Sequence, residues 1–136
     1  MFIKIDVQTR SKVDLVDITS RVVEAISEAE IQDGVCFVYC PHTTAGIMLN
    51  ENWDPSVEKD VAMVLERMVP DDLSYNHREG NSPAHIKSVL VGTDHFVLVH
   101  NGELQLGQWQ GVFLAEFDGP RHRTIWLNVM DDCTSG

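Results

Sequence analysis

Alternation of hydrophobic and polar residues predicts strands at both ends of the chain. Ile3, Ile5 and Val7 alternate with polar neighbours, which is typical of a strand with one buried face. Similar alternation, or a short apolar run bounded by turn residues, recurs along the chain. The strands predicted in this way are residues 2–9, 13–18, 35–40, 47–49, 95–100, 103–106, 109–117 and 123–130.

Turn residues indicate how neighbouring strands connect. Asn101-Gly102 lies between two alternating runs, and this dipeptide is the strongest short signal for a β-hairpin. Arg10, Ser11 and Lys12 predict a turn after the first strand, so we expect residues 13–18 to pair back on it.

A different period predicts three helices. The first follows Thr19 or Ser20 as cap, and Gly34 is expected just after its end. The second begins at Asp54-Pro55, with a predicted buried stripe of Val57, Val61, Val64, Leu65 and Met68, and stops at Pro70. The third is short, with Ser82 as cap and Pro83 in the first turn, and Gly92 closes it.

The order of these elements predicts the fold class. Strands cluster near the C-terminal end and do not alternate strictly with helices, which favours an α+β fold with a largely antiparallel sheet, two main helices and a short helix at the site. The chain has 136 residues and shows no repeat, linker or low-complexity tract. We therefore predict one domain over residues 1–136.

Charge excludes some classes of partner. The net charge is −11, from 21 acidic and 10 basic residues, which argues against nucleic-acid binding and against a polybasic membrane-surface patch. The negative net charge does not exclude an anionic substrate, because a metal, backbone N–H groups or a few basic residues can bind an anion locally.

Cysteine usage and the N-terminus predict the compartment. Three cysteines are an odd number, and Cys36 and Cys40 lie four residues apart in an apolar run, where packing is the favoured role. The chain shows no signal-peptide pattern and no apolar run long enough to span a bilayer. We expect a reduced, cytoplasmic protein.

The stretch 75–87 holds the first candidate site. His77 and His85 lie eight residues apart around Gly80, in a loop that can bring both imidazoles to one point. The helix start at Ser82 offers free N–H groups for a phosphate or carboxylate, and Lys87 adds a cation. The segment predicts a metal site, an anion site or both; an ordinary polar loop with two surface histidines is the alternative.

A second candidate lies where an apolar strand pair is interrupted. His42 follows Pro41 and precedes Thr43-Thr44, where buried polar groups need partners. His42 is then a ligand or proton carrier, with the two hydroxyls holding an anion, or alternatively a hydrogen-bonded residue of a capped bend.

Two further residues have chemistry of interest. Glu51 lies where a strand meets a helix, and by position it is the best candidate for a general acid or base. Gln110 lies in a predicted strand beside Trp109, and if buried it needs a partner, which a ligand would supply.

Five blocks of sequence together resemble one family. They are residues 40–47, 51–55, 75–87 with its His-x-x-Gly-Asn-x-x-x-His core, 106–111 and 118–121. In this order they resemble the YjbQ-type family, small proteins named as secondary thiamine-phosphate synthases. Gln108 stands where the family more often has threonine, and His122 where it more often has arginine, which affects substrate preference rather than the histidine motifs.

The resemblance implies a β-sandwich of the α+β class, usually a homotrimer, and a weak thiamine-phosphate synthase activity. That reaction joins a pyrimidine diphosphate to a thiazole phosphate and releases pyrophosphate. The family's main physiological role is a separate question, as the word "secondary" indicates.

With the resemblance, the histidines become joint candidates for a divalent metal, zinc as isolated, with magnesium possible when pyrophosphate is bound. The implied metal ligands are His42, His77 and His85, with Glu51 and His42 as catalytic residues. The implied substrate-binding residues are Thr43, Thr44, Asn81, Ser82, Lys87 and Gln110.

Two hypotheses follow. The first is an enzyme that acts on phosphorylated heterocycles with loss of pyrophosphate, and Glu51 near the histidine motifs favours it. The second is a non-catalytic trimer that binds a metal or a small anion. The absence from the sequence of the paired carboxylates that usually hold magnesium for pyrophosphate chemistry favours the second.

Overall fold

A computed structural model describes residues 1–132, which form two antiparallel sheets and three helices. The tail, with Cys133, lies outside the described residues. In chain order the elements are β1 (Phe2–Gln8), β2 (Asp14–Asp17), α1 (Thr19–Ala29), β3 (Gly34–Tyr39), β4 (Ala45–Glu51), α2 (Pro55–Met68), α3 (Ser82–Val91), β5 (Asp94–His100), β6 (Glu103–Leu104), β7 (Gln110–Glu116) and β8 (His122–Asp131).

The strands divide between a larger and a smaller sheet. The larger sheet has the order β1-β8-β3-β5-β6 and the smaller one the order β2-β7-β4, with antiparallel pairing throughout the described strands. The predicted α+β class with antiparallel sheets is confirmed. The predicted pairing of β2 with β1 is wrong: β2 pairs with β7, while β1 pairs with β8. Pairing between distant strands buries the inner faces of both sheets, which a local hairpin would not.

One core joins the two sheets. Inward-facing residues of both sheets pack with Val22 and Ile26 of α1 in a single cluster. On β3, Cys36 and Val38 point into this core and are fully buried. Cys40 follows them at the same period of two and is 1% exposed, so the predicted packing role of the two cysteines is confirmed.

The outer face of the larger sheet carries many exposed apolar side chains, with the polar Asn128 and Lys4 among them. Its rings contact one another: Phe2 and Tyr39 lie 5.8 and 5.9 Å from Trp126, and Phe37 lies 6.3 Å from Phe96, between ring centroids. We call this surface the aromatic sheet face; it consists of Phe2, Phe37, Tyr39, Phe96, Leu98, Trp126 and Met130. An exposed surface this rich in apolar side chains is a candidate interaction site.

The second helix begins as predicted but is not buried. Asp54 caps α2 by accepting a hydrogen bond from the Ser56 backbone N–H at 2.9 Å. Its predicted stripe is not covered: Met68 is 61% exposed, and α2, which the structure describes in full, has no buried residue. Leu65 alone of that stripe packs on the small cluster around Phe117, because α2 lies outside the two-sheet core.

The predicted hairpin turn at Asn101-Gly102 is confirmed, whereas the predicted helix end at Gly34 is wrong. Asn101 and Gly102 both adopt positive φ, 52° and 76°, as the hairpin turn requires. The first helix ends at Ala29 with Glu30 in the left-handed region, so Gly34 is not its cap, contrary to prediction. Gly34 instead begins β3, where a Cβ atom would lie 2.0 Å from the Met130 carbonyl oxygen.

Within residues 1–132, none of the helices is both long and apolar enough to cross a bilayer.

Candidate functional site

The loop before α3 brings two histidines together. Gly80 has φ +76°, which lets the chain turn back, and Asn81 rather than Ser82 occupies the cap position of α3. The rings of His77 and His85 lie 5.4 Å apart between centroids and are perpendicular. This separation is compatible with one ion between them, since a Zn–N bond is about 2.0–2.1 Å.

A three-histidine centre is not assembled within one chain. Within the described residues, no group of three His, Cys, Asp or Glu side chains is close enough to hold one metal ion. Glu79, which sequence reasoning did not select, lies 3.8 Å from His77 Nε2. A metal ion held by His77 and His85 would therefore need a further ligand from outside this pair.

His42 is oriented by the neighbouring strand. Its Nε2 lies 3.0 Å from the backbone nitrogen of Thr124 and 3.1 Å from its carbonyl oxygen. When Nε2–H donates to the Thr124 carbonyl oxygen, Nδ1 carries no proton and is the nitrogen available to a ligand, which is the usual arrangement of a metal-binding imidazole. In the other tautomer, Nε2 accepts from the Thr124 N–H and the proton is on Nδ1. Burial and the nearby Arg123 charge lower the pKa of His42, so its ring is neutral at neutral pH.

His85 belongs to two adjoining concave surfaces. One, which we call the histidine cleft, has a volume of about 500 Å³ and contains His42, Thr43 and His85. The other, about 450 Å³, contains His77, Ser82 and His85, and we call it the loop pocket. His85 thus connects both histidine motifs that the sequence singled out.

Cys40 also lines the histidine cleft. Burial raises the pKa of its thiol, and the hydrogen bond it donates to the His42 carbonyl does not reverse this. The thiol therefore stays protonated at neutral pH, which disfavours Cys40 as a nucleophile or metal ligand.

Thr44 does not face the cleft as Thr43 does. It is 5% exposed, and its hydroxyl oxygen accepts a hydrogen bond of 2.7 Å from Arg123 Nη2. Arg123 is itself buried and forms an ion pair with Glu116, which is fully buried and also accepts a hydrogen bond from Thr9. Burial alone would raise the pKa of Glu116, but the hydrogen bonds from Arg123, the Asp118 backbone and Thr9 hold it below its ordinary value.

Sequence reasoning missed this buried ion pair, although a signal existed. Arg123 occupies an inward position in phase with Ile125 and Leu127, and Glu116 interrupts an apolar run. A charged residue at each of two core-facing strand positions indicates a buried pair. Its arginine holds Thr44, directly after the cleft residue Thr43.

Glu51 lies far from the histidines in a single chain. It is the last residue of β4, whereas the histidine cleft adjoins the start of that strand. Seven extended residues span roughly 20 Å, so Glu51 and His42 do not share a site within one chain. Gln110 is opposite Glu51 on β7, and its side-chain oxygen accepts a hydrogen bond of 2.8 Å from Gly107 N–H.

Asn81 and Lys87 turn away from the histidines. Lys87 follows His85 by two residues, which is about 200° around a helix, and it does not line either histidine surface. Its ammonium lies 3.1 Å from Glu66 Oε1. Asn81 Nδ2 donates to Asp118 Oδ2 at 3.0 Å. The predicted phosphate-binding residues are thus divided between opposite sides of α3.

Comparison with known proteins covers nearly the whole chain. The family described as "UPF0047 protein YjbQ-like" matches residues 3–132. A UPF0047 protein of Methanocaldococcus jannaschii is 46% identical over 132 residues, covering 97% of this chain and 96% of the relative. YugU of Bacillus subtilis is 43% identical, covering 93% of this chain and 96% of YugU.

Solved structures agree with these relatives. A YjbQ/UPF0047 family protein of Clostridium acetobutylicum superposes with a TM-score of 0.92 at 43% identity, over 94% of this chain and 99% of that one. A YbjQ-like protein of unknown function from Sulfolobus solfataricus has a TM-score of 0.93 at 30% identity, over 97% of each chain.

Proposed function

Because the chain belongs to the UPF0047 family of YjbQ-like proteins, we propose that it is a metal-assisted transferase acting on phosphorylated heterocycles. The finer proposal is a thiamine-phosphate synthase activity, in which a pyrimidine diphosphate and a thiazole phosphate are joined and pyrophosphate is released. The observation that carries it is the perpendicular pair of His77 and His85, 5.4 Å apart, beside a cleft that also contains His42 and Thr43.

The donor set suits a divalent metal. His77 and His85 would hold it, with His42 contributing Nδ1 if the loop closes onto the cleft. Imidazole ligands select zinc among the common divalent ions, and magnesium would enter with pyrophosphate oxygens. When bound, the ion neutralises charge on a pyrophosphate leaving group.

Phosphate binding and proton transfer would be carried out by side chains and backbone groups of this chain. Thr43 is exposed in the histidine cleft, and Ser82 stands at the start of α3, where backbone N–H groups favour a phosphate. The lowered pKa of His42 keeps its ring neutral at neutral pH, and in the tautomer that donates Nε2–H to the Thr124 carbonyl oxygen its Nδ1 can accept a proton. Thr44 would act indirectly, through the fixed arginine beneath the cleft.

A second copy of the chain would bring Glu51 to the histidines. Within one chain, Glu51 and the histidine cleft are separated by the length of β4, so a catalytic Glu51 requires a neighbour. Gln110, its partner across the strands, would enter the site from the same neighbour. This arrangement makes the oligomer part of the proposed function.

Two different apolar surfaces support a homo-oligomer. One is the aromatic sheet face. The other, which we call the helix face, consists of Met63, Val64 and Met68 of α2 with Val89 and Leu90 of α3, all at least 45% exposed. Contact between unlike surfaces of identical chains generates a closed ring when the rotation allows it. The family resemblance implies that the ring has three subunits.

The alternative is a non-catalytic trimer that binds a metal or a small anion. Two observations favour it: the described residues hold no three-ligand group, and Glu51 is distant from the histidines in one chain. In either case we propose a cytoplasmic location, where the unpaired buried thiols Cys36 and Cys40 stay reduced.

Metal content and activity test the proposal together. Protein purified without a histidine tag should contain zinc, and His77→Ala with His85→Ala should lower bound metal at least about tenfold, since even outer-shell changes cost that much. His122→Ala is the matched control, because that side chain is exposed and outside both histidine surfaces. Unchanged metal content in the double variant contradicts the metal site.

The catalytic half of the proposal depends on Glu51. Glu51→Gln should leave the melting temperature nearly unchanged, since the residue stands at a strand end, and should reduce synthase turnover. Glu103→Gln, an exposed glutamate in the hairpin, is the control. Full turnover in Glu51→Gln contradicts a catalytic role for Glu51, whereas no turnover in the wild type with metal bound favours the binding protein over the enzyme.

A further inference from the structure

A small cavity lies on the side of α3 away from the histidines. We call it the Lys87 cavity; its volume is about 150 Å³, and it is lined by Lys12, Asp71, Asn81, Lys87, Phe117 and Asp118, among others. None of these residues lines the histidine cleft or the loop pocket. The cavity is large enough for about five water molecules at roughly 30 Å³ each, or for one ion the size of phosphate.

A buried cation forms one wall of the Lys87 cavity. Lys87 is 3% exposed, which is rare for a lysine that lacks a full set of partners. In the described part of the chain its ammonium makes a single hydrogen bond, to Glu66, and lies 6.0 Å from the centroid of the Phe117 ring. Because an ammonium group has three protons, two of them have no acceptor among residues 1–132.

The cavity also contains a hydrogen-bond acceptor that has no donor in the part of the chain that the structure describes. Asn81 Oδ1 is buried and has no hydrogen-bond partner among the residues described, although Asn81 Nδ2 donates to Asp118. An acceptor buried without a donor costs free energy comparable to a lost hydrogen bond. The cavity thus presents unused donors on Lys87 and an unused acceptor on Asn81.

The charges around the cavity restrict the ligand. Asp118 is already engaged by Asn81 and by Arg121 Nη2 at 3.0 Å, and Asp71 lies 3.9 Å from Lys12 Nζ. Glu79 also lines the cavity. Carboxylates at the wall oppose a dianion, whereas the buried ammonium opposes a metal ion.

We propose that the Lys87 cavity binds a small monoanion that carries a hydroxyl donor, the class to which dihydrogen phosphate belongs. An anionic oxygen accepts hydrogen bonds from Lys87, and the hydroxyl donates to Asn81 Oδ1. Because Asn81 caps α3 four residues after His77, the bound anion ties the histidine-bearing loop to the helix. The site is independent of the metal and of the transferase activity.

Inorganic phosphate is the probe. In metal-free protein carrying His77→Ala and His85→Ala, phosphate should shift the amide resonances of residues 79–88 and the Asn81 side-chain NH₂ in a saturable way. Sulfate, which carries no proton near neutral pH, should bind at least about tenfold more weakly, since it cannot donate to Asn81.

Variants separate the cavity from general charge effects. Lys87→Met keeps the volume and removes the ammonium, and it should weaken phosphate binding by about tenfold or more. Asn81→Ala removes the orphan acceptor and should reduce the preference for phosphate over sulfate, which keeps the test decisive if Lys87→Met does not fold. Lys59→Met, at an exposed position on α2, should change neither.

Three results overturn the proposal. They are the absence of saturable shifts at residues 79–88, equal affinity for sulfate and phosphate, and a crystal soaked in phosphate whose cavity contains ordered water alone. Because the background lacks both histidines, each of these outcomes leaves the proposed metal-assisted reaction untouched, and loss of that reaction leaves this site untouched.

Discussion

The backbone of Thr124 holds the imidazole ring of His42 in place. Its backbone nitrogen and carbonyl oxygen both lie within 3.1 Å of His42 Nε2, so the ring cannot rotate freely in the cleft. A lowered pKa keeps the ring neutral, and Nδ1 is free for a ligand in the tautomer whose Nε2–H donates to the Thr124 carbonyl oxygen. The protonation of His42 therefore depends on its contacts with the Thr124 backbone, which the sequence motif around His42 does not include.

The buried ion pair beneath the cleft predicts sensitivity to acid. Glu116→Gln should reduce the free energy of unfolding by about 3–5 kcal/mol at neutral pH, because it leaves Arg123 buried without a counter-charge. The native pKa of Glu116 lies below its ordinary value of 4.5. The stability it contributes is thus complete above that value and is lost as pH falls through the native pKa.

Denaturant unfolding of both proteins from neutral pH to about pH 3 checks this prediction. The gap in unfolding free energy should be widest at neutral pH and narrow in acid. Replacing both partners, Glu116→Met with Arg123→Met, should cost less than Glu116→Gln alone, since no charge remains buried. A gap that stays constant over this pH range contradicts the assigned role of Glu116.

At the scale of elements, β3 is the strand on which the larger sheet depends. It pairs with β8 on one side and β5 on the other, and its inward residues supply part of the core. The first residue, Gly34, approaches β8 so closely that no side chain fits. The glycine that the sequence marks as a helix end is in fact a condition for strand pairing.

Substitution of Gly34 tests that role. Gly34→Ala should lower the free energy of unfolding by about 2–3 kcal/mol, because its Cβ would lie 2.0 Å from the Met130 carbonyl oxygen and the pair would have to separate. Gly107→Ala is the control: its Cβ would meet the Gln110 side-chain oxygen at 3.2 Å, and this end of a long side chain can shift by a few tenths of an ångström, so we expect a change within about 0.5 kcal/mol. Equal changes in unfolding free energy for the two substitutions, measured by denaturant unfolding, would contradict the role of Gly34 in strand pairing.

At the scale of the whole molecule, a single chain leaves two apolar surfaces uncovered. The aromatic sheet face belongs to the larger sheet, and the helix face belongs to α2 and α3. The histidine cleft reaches both, since Tyr39 and Val89 line it. Assembly through these surfaces would therefore cover the cleft as well as the apolar residues.

Light scattering coupled to size exclusion tests the assembly. The wild type should have about three times the 15.3 kDa mass of one chain. Leu98→Glu places a charge in the aromatic sheet face, where the side chain is 54% exposed, and should give a folded monomer. Val23→Glu, at a 49% exposed position on α1 outside both surfaces, should remain trimeric.

Two outcomes contradict this prediction. A wild-type monomer at micromolar concentration that still binds metal refutes both the trimer and the shared site. A trimer that persists in Leu98→Glu shows that the aromatic sheet face is not the interface.

Local patterns were enough to predict most elements of the fold. A period of two in β1 and β8, the hairpin signal at Asn101-Gly102 and the cap-plus-proline start of α2 each act within a few residues, so the sequence determines them directly. The same holds for the turn at Gly80 that brings His77 and His85 together. Such features need no knowledge of distant residues.

Only the tertiary structure decided which distant residues meet. The pairing of β2 with β7, the exposure of α2 and the burial of Arg123 against Glu116 depend on how the two sheets close over one core. The candidate site is divided for the same reason: β4 separates Glu51 from the histidines, and α3 turns Lys87 away from His85. Proximity along the chain does not determine direction in space, because strand length and helix rotation set which side chains share a surface.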